Sequence, residues 1–387
     1  DEAEKESGSL VIFEDFDTAR YVWEDIEVEF AGARKESYEP SSRKPVVEPA
    51  TLVEDLSRRD FTVNAMAMRV LPDGSLGDMV DPYGGAKDVK EKIIRTPLLP
   101  TETFSEDPLR ILRAARFAAQ LGFVVEAETL KAMYDTRERL SIVSAERIAE
   151  EFFKLLSTEK PSIGLALLFQ THVLDVFFPE IPALDGVEEA YGQGHKNNLW
   201  HTFKVVDNLC TRTNKTMLRY AGLMHDIGKP ETKRFIAGRG WAFDMHEHVG
   251  KRIVNEVGRR LRMSKDDVRY VARLVRWHQQ PIALMDDGIT DSAVRRLVVA
   301  LGEDIDDLLK LCRSDITTGN PKKLERRLKN YDVLENKIIE VIEKDKLRAF
   351  QSPLRGDDIM RLSGLPPGPQ IGKVKKAIEE AILEGEI

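Results

Sequence analysis

The feature that most constrains this chain is a change of period near Ser105. From there almost to the C-terminus, apolar residues recur every three or four positions, as in LRILRAARFAAQLGF, RIAEEFFKLL and IGLALLFQTHVLDVFF. A 3.6-residue period demands helices that each bury one face. Upstream the pattern differs. SLVIF and IEVEFAGAR gather β-branched and aromatic residues and read as strands separated by a polar stretch. TVNAMAMRV followed by LPDGSLGDMV reads as an element, an Asp-Gly turn and a short strand. The expected fold class is α+β, mostly α, with a small mixed sheet ahead of a long helical body. A break between Pro182 and Gly194 divides the helical blocks, and GLPPGPQIG at 364–372 precedes a last short amphipathic helix.

At 387 residues the chain holds two or three domains with cores that need no staples. Cys210 and Cys312 are too few for a disulfide framework and read as free thiols of a reducing cytoplasm. No apolar run approaches the ~20 residues that cross a bilayer, so no membrane partner is expected. The opening DEAEKES is acidic, unlike a secretory leader. It also lacks a starting Met and runs almost at once into strand-like sequence, so the chain is expected to lack its own beginning. A net charge of −8 argues against a basic coat for nucleic acid but leaves room for a local basic groove. Two basic patches are candidates for RNA phosphates: 319–330, and the group Arg252, Arg259, Arg260 and Arg262. Each reads equally as a solvated helix face.

SEDPLRILRAARFAAQLGF reads as a helix start, with Ser105 as cap, Glu106 and Asp107 at the positive end of the dipole and Pro108 in the first turn. Asp107 and Arg110 are three apart and project to nearly the same side, and Arg113 and Arg116 continue the row. A carboxylate beside a guanidinium accepts from an amino group and donates to a ring nitrogen. Cytosine and adenine present that pair of groups, whereas uracil and guanine present the reverse. The farther arginines suit a triphosphate. On spacing alone, an ordinary surface ion pair fits equally.

The chain has seven histidines. Five of them, with two aspartates, fall in suggestive contexts: His201 in NLWHTFKVV, His225-Asp226 in GLMHDIGKP, His246 and the adjacent His248 in FDMHEHVG, His278 in LVRWHQQP, and Asp315 in CRSDITTG. The order H…HD…H…H…D resembles the HD phosphohydrolase superfamily. That resemblance implies a divalent-metal pocket of His201, His225, Asp226, His246, His278 and Asp315, with Asp226 bridging one or two ions (Mg2+, Mn2+, Ni2+ or Co2+). Lys229 in HDIGK is the candidate phosphate holder, and the chemistry is attack of metal-activated water on a phosphate ester. His248 reads as a surface residue. His172 and His195 read as structural.

RRDFTVNAMAM, the DPYGG loop, SEDPLRILRAARFAAQLGF, EFAGARKESY, SRKPVVEPATLVEDL, GHKNNLWHTFKVVDNL and PPGPQIGKVKKAIEEAILEGEI occur in this order-bearing set across the whole chain. Together they closely resemble the bacterial class II tRNA nucleotidyltransferases, the CCA-adding enzymes, and their poly(A) polymerase relatives, in the subgroup with a C-terminal HD domain. The resemblance implies a cytoplasmic enzyme that adds CCA to tRNA 3′ ends from CTP and ATP, with tRNA, CTP and ATP as partners and no stable protein partner. It implies that Arg59 and Asp60 meet the ribose and phosphates. Asp107 and Arg110 would be the amino-acid template, Glu106 would orient Arg110, and Arg113 and Arg116 would contact the nucleotide. It divides the chain into a partial nucleotidyltransferase head at 1–98, a helical neck and tRNA-binding region at 99–190, the HD domain at 191–320 and a helical tail at 321–387. Alternatives are a poly(A) polymerase or A-adding relative, and a phosphodiesterase or phosphatase working through the HD domain alone.

One family element does not match. The family holds Mg2+ on an Asp-x-Asp pair after a Gly-Gly turn, and no such pair precedes Arg58. No catalytic residue is therefore assigned in the head, the segment carrying the pair is expected to be missing, and addition by the chain as it stands is not expected. Asp15 and Asp17 give a tempting Asp-Phe-Asp, but the family reads Phe-Gly-Thr-Ala there, downstream of the metal pair. Glu29 reads as a solvent-facing strand residue.

Overall fold

In a computed structural model, residues 8–13, 18–37, 46–186, 189–190, 193–194, 197–345 and 354–384 are described. Asp15, Asp17 and His195 lie outside them. The chain divides into two units, Asp1–Leu140 and Ser141–Ile387.

Unit 1 opens with an antiparallel meander of β1 (Ser9–Phe13), β2 (Thr18–Trp23) and β3 (Ile26–Ala31). The stretch TARYVW, expected as polar spacer, is the central strand. Its alternation is imperfect, but it is bonded on both sides, and neighbours outweigh propensity in a middle strand. β2 turns into β3 through Glu24 at φ 51°, the sign that tight hairpin turns require. Glu29 lies exposed on β3, as read from the sequence. β4 (Arg34–Ser37) pairs with β5 (Val46–Pro49), and α1 (Leu52–Ser57) follows, started by a reciprocal Thr51–Glu54 capping box. The Asp-Gly turn joins β6 (Ala67–Val70) to β7 (Leu76–Val80) as expected. Then come α2 (Gly85–Glu91), β8 (Ile93–Ile94), α3 (Pro100–Glu106), α4 (Leu109–Leu121), β9 (Val124–Val125), parallel to β8, and α5 (Ala127–Thr136).

The helix start expected at Ser105 is corrected. Ser105 and Glu106 close α3, which Pro100 begins. Asp107 stands between the helices in extended geometry, φ −131° and ψ 97°, because Pro108 disfavours helical geometry in the residue before it. Asp107 still acts at the new helix start: its Oδ1 accepts from the backbone N–H of Leu109 at 3.2 Å. Leu109, Ile111, Leu112, Ala114, Ala115 and Ala118 bury one broad face of α4. The alanines let neighbouring backbone come close, and Phe61 packs edge-on to Phe117 at 5.8 Å. Gly122 ends α4 at φ 67°, a geometry that costs a β-carbon-bearing residue.

Unit 2 contains α6 (Ala145–Leu156), α7 (Pro161–Gln170), α8 (Leu174–Phe177), the short pair β10 (Glu189–Ala190) and β11 (Gln193–Gly194), α9 (Asn198–Cys210), α10 (Thr216–Met224) and α11 (Lys229–Thr232). A small hairpin, β12 (Arg234–Ile236) and β13 (Gly240–Ala242), leads to α12 (His246–Arg260) and α13 (Lys265–Trp277). α14 (Gln280–Asp287), α15 (Asp291–Leu301), α16 (Ile305–Asp315), α17 (Pro321–Asp345), α18 (Gly356–Ser363) and α19 (Pro369–Glu384) follow. The last helix begins inside the Pro/Gly cluster, at Pro369, which suits a first turn. Phe152, Phe177, Phe178 and Tyr220 form an edge-to-face aromatic core, with centroids 5.7 to 6.4 Å apart. Both cysteines are free thiols. Among the described residues no helix is long and apolar enough to cross a membrane.

Candidate functional site

In unit 1 the segment DLSRRD and helix α4 come together. Asp55 is buried and takes both neighbouring arginines: Arg58 Nη2 donates to Oδ1 at 2.6 Å and Arg59 Nη2 to Oδ2 at 2.8 Å. Burial alone would raise this carboxyl. The hydrogen bonds from Arg59 and Arg58 and from the Arg34 backbone N–H outweigh it and hold Asp55 below the usual carboxylate range. Sequence reading passed over Asp55, although its spacing of three and four to Arg58 and Arg59 is a helical ion-pair signal.

Asp60 is buried as well. Its Oδ2 accepts twice from Arg113, at 2.8 Å from Nε and 2.6 Å from Nη2. Asn64 and the Phe61 backbone N–H donate to Oδ1. Arg110 is buried under the same segment. Its Nη2 donates to the Arg58 carbonyl at 2.6 Å, and its Nη1 to the Thr103 carbonyl at 3.2 Å and Glu106 Oε2 at 3.4 Å. A guanidinium has five N–H donors, so two remain for a ligand. Arg116 stacks over Phe117, 4.1 Å from the ring centroid, and donates to Gln120. The two motifs are thus tied at Arg58–Arg110 and Asp60–Arg113, with Glu106 on Arg110, whereas Arg59 bonds Asp55, the Asp107 side chain caps Leu109 and Arg116 meets Phe117 and Gln120.

In unit 2 the six expected metal ligands converge although they span residues 201–315. His201 stands in the first turns of α9, His225-Asp226 just after α10, His246 at the start of α12, His278 just after α13 and Asp315 at the end of α16. They form two trios, His201–His225–Asp315 and Asp226–His246–His278, each with its ligand atoms within 4.8 Å of one another. Asp226 joins them. Its Oδ2 lies 3.2 Å from His225 Nε2 and 3.7 Å from His201 Nε2, and its Oδ1 lies 3.4 Å from His246 Nε2 and 3.9 Å from His278 Nε2. His201 Nε2 is 2.8 Å from Asp315 Oδ1. Lys229 donates to Asp226 Oδ2 at 2.6 Å.

Three rings are oriented by backbone carbonyls close in sequence. Nδ1 of His225, His246 and His278 lies 2.7 to 2.8 Å from the carbonyl three residues earlier, at Gly222, Phe243 and Val275. A carbonyl only accepts, so each Nδ1 carries the proton and Nε2 is turned inward. Thr317 holds His201 Nδ1 at 2.9 Å, and Gln279 Nε2 donates to His246 Nε2 at 3.2 Å. Thr317 and Gln279 lie inside CRSDITTG and LVRWHQQP, but residue type and spacing gave them no role. Gly228 is the Gly of HDIGK: a β-carbon there would run into the His246 carbonyl, so only glycine lets α12 approach so closely.

The electrostatics fit a cation. Burial pushes the His225 imidazolium down, but the Asp226 and Asp315 carboxylates overcome this and raise its pKa to about 10. Burial and the positive His225 depress His278 to about 3. Burial works against Asp226 and Asp315 as anions, yet His225, with Lys229 or His201, holds both well below the usual range. His225 Nε2 is buried without a hydrogen-bond partner. His246 and His278 face each other Nε2 to Nε2 at 3.3 Å. An orphaned nitrogen, two imidazoles meeting by their acceptor sides and two buried carboxylates suit a divalent ion with nitrogen and oxygen ligands. Among the described residues, unit 1 gathers no comparable trio, so they do not supply the Mg2+ site that the resemblance implies for the head. His248 is exposed on α12, and His172 is a surface residue bonded to Asp175.

Comparisons with known proteins match three family models along the chain. The Poly A polymerase head domain family matches residues 3–95, the probable RNA- and SrmB-binding site of polymerase A matches 122–184, and the HD domain matches 194–336. The A-adding tRNA nucleotidyltransferase of Deinococcus radiodurans is 33% identical over 349 residues, covering 88% of this chain and 77% of that protein. The CC-adding tRNA nucleotidyltransferase of Thermus thermophilus is 33% identical over 350 residues, covering 87% and 74%. The multifunctional CCA protein of Vibrio campbellii is 37% identical over 229 residues, and the match spans about half of that relative, 53% of its length. Among solved structures, the Bacillus stearothermophilus CCA-adding enzyme in complex with CTP has a TM-score of 0.59 at 22% identity, covering 97% of this chain and 79% of that one. That likeness shows a shared fold.

Proposed function

The chain belongs to the bacterial CCA-adding tRNA nucleotidyltransferase and poly(A) polymerase family, and we propose that Asp107 and Arg110 select cytosine and adenine for it without a nucleic-acid template. The reaction is transfer of CMP, CMP and AMP from CTP and ATP to a tRNA 3′ end, in the cytoplasm, with pyrophosphate released. Asp107 accepts from the exocyclic amino group, and Arg110 donates to N3 of cytosine or N1 of adenine. Uracil and guanine would set acceptor against carboxylate and donor against guanidinium. Arg59 and Asp60 take the ribose and phosphates, and Arg113 and Arg116 add positive charge for the triphosphate.

One observation supports this reading most: Arg110 and Arg113 of α4 are bonded to the Arg58 carbonyl and the Asp60 carboxylate. Base-edge and sugar-phosphate groups are thereby fixed relative to each other before a nucleotide arrives, as selection by geometry requires. Glu106 adds a third contact that orients Arg110. The test is equilibrium binding of the four nucleoside triphosphates to the whole chain. Wild type should favour CTP and ATP, and Asp107→Ala should lower that preference by roughly 10-fold, within the ~1–3 kcal/mol of a bidentate contact. An unchanged preference would sink the assignment.

The six converging ligands favour a second activity, metal-dependent hydrolysis of phosphate esters in the HD domain. When bound, a divalent ion there supplies Lewis-acid activation of water and ester. His201, His225, Asp226, His246, His278 and Asp315 would hold it, and Lys229, 2.6 Å from Asp226, stands ready to accept a phosphate oxygen in exchange. Hydrolysis of 2′,3′-cyclic nucleotides in the presence of Mg2+, Mn2+, Ni2+ or Co2+ is the expected result. No turnover with any of the four would leave the domain structural.

A further inference from the structure

Helices α12 and α13 run antiparallel, joined by the four residues 261–264, and a groove of about 790 Å³ lies along them. Its floor is apolar and small, with Gly258, Val268 and Ala272. Its rim carries Lys251 and Arg259 from α12 and Lys265, Arg269, Arg273 and Arg276 from α13, and no carboxylate lines it. Lys251, Asn255 and Arg259 share a face of α12 at four-residue spacing, and Lys265, Arg269, Arg273 and Arg276 share one of α13 at spacings of four, four and three. At 1.5 Å per residue the cationic edge on α13 runs about 17 Å.

The groove separates charges that the sequence had grouped. Arg252 is paired with Glu231 and Glu256, and Arg260 with Glu180, so both are neutralised away from it. Arg269 meets Asp266, Arg273 meets Asp304 at 3.2 Å and Arg276 meets Glu247 at 3.8 Å, each beside the groove. Lys251, Arg259 and Lys265 have no carboxylate partner among the described residues, in a chain whose net charge is −8.

The direction of the groove matters most. Arg259 and Lys265 flank the turn at one end. At the other end His246, which starts α12, faces His278, which follows α13. Arg276 lines both the groove and a smaller cleft of about 390 Å³, where it is joined by Glu247 and Gln279. Gln279 donates to the metal-facing nitrogen of His246. The row of positive charge therefore leads from open surface to the edge of the metal pocket. Trp277, with Arg276 5.3 Å from its ring centroid, adds an aromatic face near the inner end.

From this geometry we infer that the groove binds the phosphate backbone of a single-stranded RNA segment and delivers its end to the HD metal pocket. The delivery half rests on the phosphohydrolase reading above, whereas the binding half stands without it. A mononucleotide would need only the inner cleft, and an acidic peptide would leave the apolar floor and Trp277 without bases to cover them. A ~17 Å row of cations matches a few successive phosphates of an extended strand.

The test uses the whole chain, wild type and the triple variant Lys251→Gln, Arg259→Gln, Lys265→Gln, none of which is a metal ligand. A fluorescein-labelled octaribonucleotide ending in a 2′,3′-cyclic phosphate is the probe, and fluorescence anisotropy over a salt series is the readout. The triple variant should bind at least ~10-fold more weakly near 0.1 M salt, with a log–log salt slope shallower by about two, as three lost contacts to a single strand predict. The double variant Arg252→Gln, Arg260→Gln should bind as wild type does. Equal binding by the triple variant, equal loss in the double variant, or equal displacement by an oligoglutamate of the same charge each overturns the RNA track. For delivery, the triple variant should lose oligonucleotide hydrolysis ~10-fold in kcat/KM while keeping its rate on a 2′,3′-cyclic mononucleotide. Equal loss on both substrates overturns delivery. If wild type hydrolyses neither substrate with any of the four metals, the phosphohydrolase reading fails and delivery with it, and anisotropy still decides the binding half.

Discussion

The two sites place similar carboxylates under opposite conditions. In unit 1, Asp55 and Asp60 meet guanidiniums, which keep their protons at any accessible pH, and each pair closes on itself through two or more hydrogen bonds. In unit 2, Asp226 and Asp315 meet imidazoles, and the cluster keeps His225 Nε2 without a hydrogen bond, though Asp226 Oδ2 lies 3.2 Å away, and two rings facing nitrogen to nitrogen. The first arrangement is complete as a protein and presents what is left of its donors to a ligand. The second reaches electrostatic balance through one proton on His225, which a divalent ion would displace. On the proposed readings, arginine builds a reader of fixed shape, and histidine builds a socket.

The sharpest way to break this contrast is to remove the carboxylate that joins the two trios. Asp226→Ala should cut divalent-metal affinity more than ~100-fold, beyond the 10–100-fold typical of residues that only support ligands, as measured by equilibrium dialysis. Added metal should raise the thermal midpoint of wild type, with ~2.7 kcal/mol at a hundredfold excess over Kd, and leave Asp226→Ala unmoved. A variant that still binds metal normally would show that the two trios act independently. On the other side, Arg113→Ala leaves Asp60 buried beside no cation. Loss of one partner of a fully buried pair costs ~3–5 kcal/mol, and the 32% exposure of the Arg113 side chain brings the expectation to about 2–3 kcal/mol, read by chemical denaturation. An effect below ~1 kcal/mol would mean that Asp60 is solvated and that the two motifs are not tied by this pair.

How much of this was legible follows the same division. The convergence of His201, His225, Asp226, His246, His278 and Asp315 was legible because residue type and order carry it, and the helical period around each gave its setting. What orients the rings was not visible, since the carbonyls of Gly222, Phe243 and Val275 are backbone groups that any sequence possesses. The local frame expected for Asp107 and Arg110 was wrong. Ser105 looked like a cap because serine often is one, while Pro100 and Pro108 together set two helices and left Asp107 in the bend between them. β2 was missed because a central strand is held by its neighbours more than by its own alternation. Of the groove on α12 and α13 only Arg259 was in the basic group read from the sequence; Arg269, Arg273 and Arg276 were not, and that Arg252 and Arg260 are paired away from it depends on Glu231 and Glu180, remote in sequence.

A smaller effect concerns acid stability. Asp55 titrates below its unfolded value of ~3.9, so the stability it contributes is fully present above that value and is lost as pH falls through the folded one. Asp55→Asn should cost about 1–2 kcal/mol at pH 7, within the range for hydrogen bonds to charged groups, and the gap from wild type should shrink steadily below about pH 4. Thermal unfolding at pH 7 and pH 3 checks it. A gap of the same size at both would assign the loss to packing, since only the ionised carboxylate distinguishes the two conditions.

The smallest expected effect bounds the socket. His248 lies two residues from His246, a proposed ligand on α12, and residues two apart on a helix do not share a face. Its side chain is 43% exposed and its nearest charged neighbour is Glu247 at 3.8 Å. His248→Ala should therefore leave metal affinity within about twofold of wild type and stability within ~0.5 kcal/mol. The measurement is informative because His246→Ala, on the same turn, removes a ligand atom that faces Asp226 at 3.4 Å. If the two variants lost metal alike, histidine content near the start of α12 rather than geometry would govern binding, and the distinction between a shaped socket and a merely histidine-rich turn would fall.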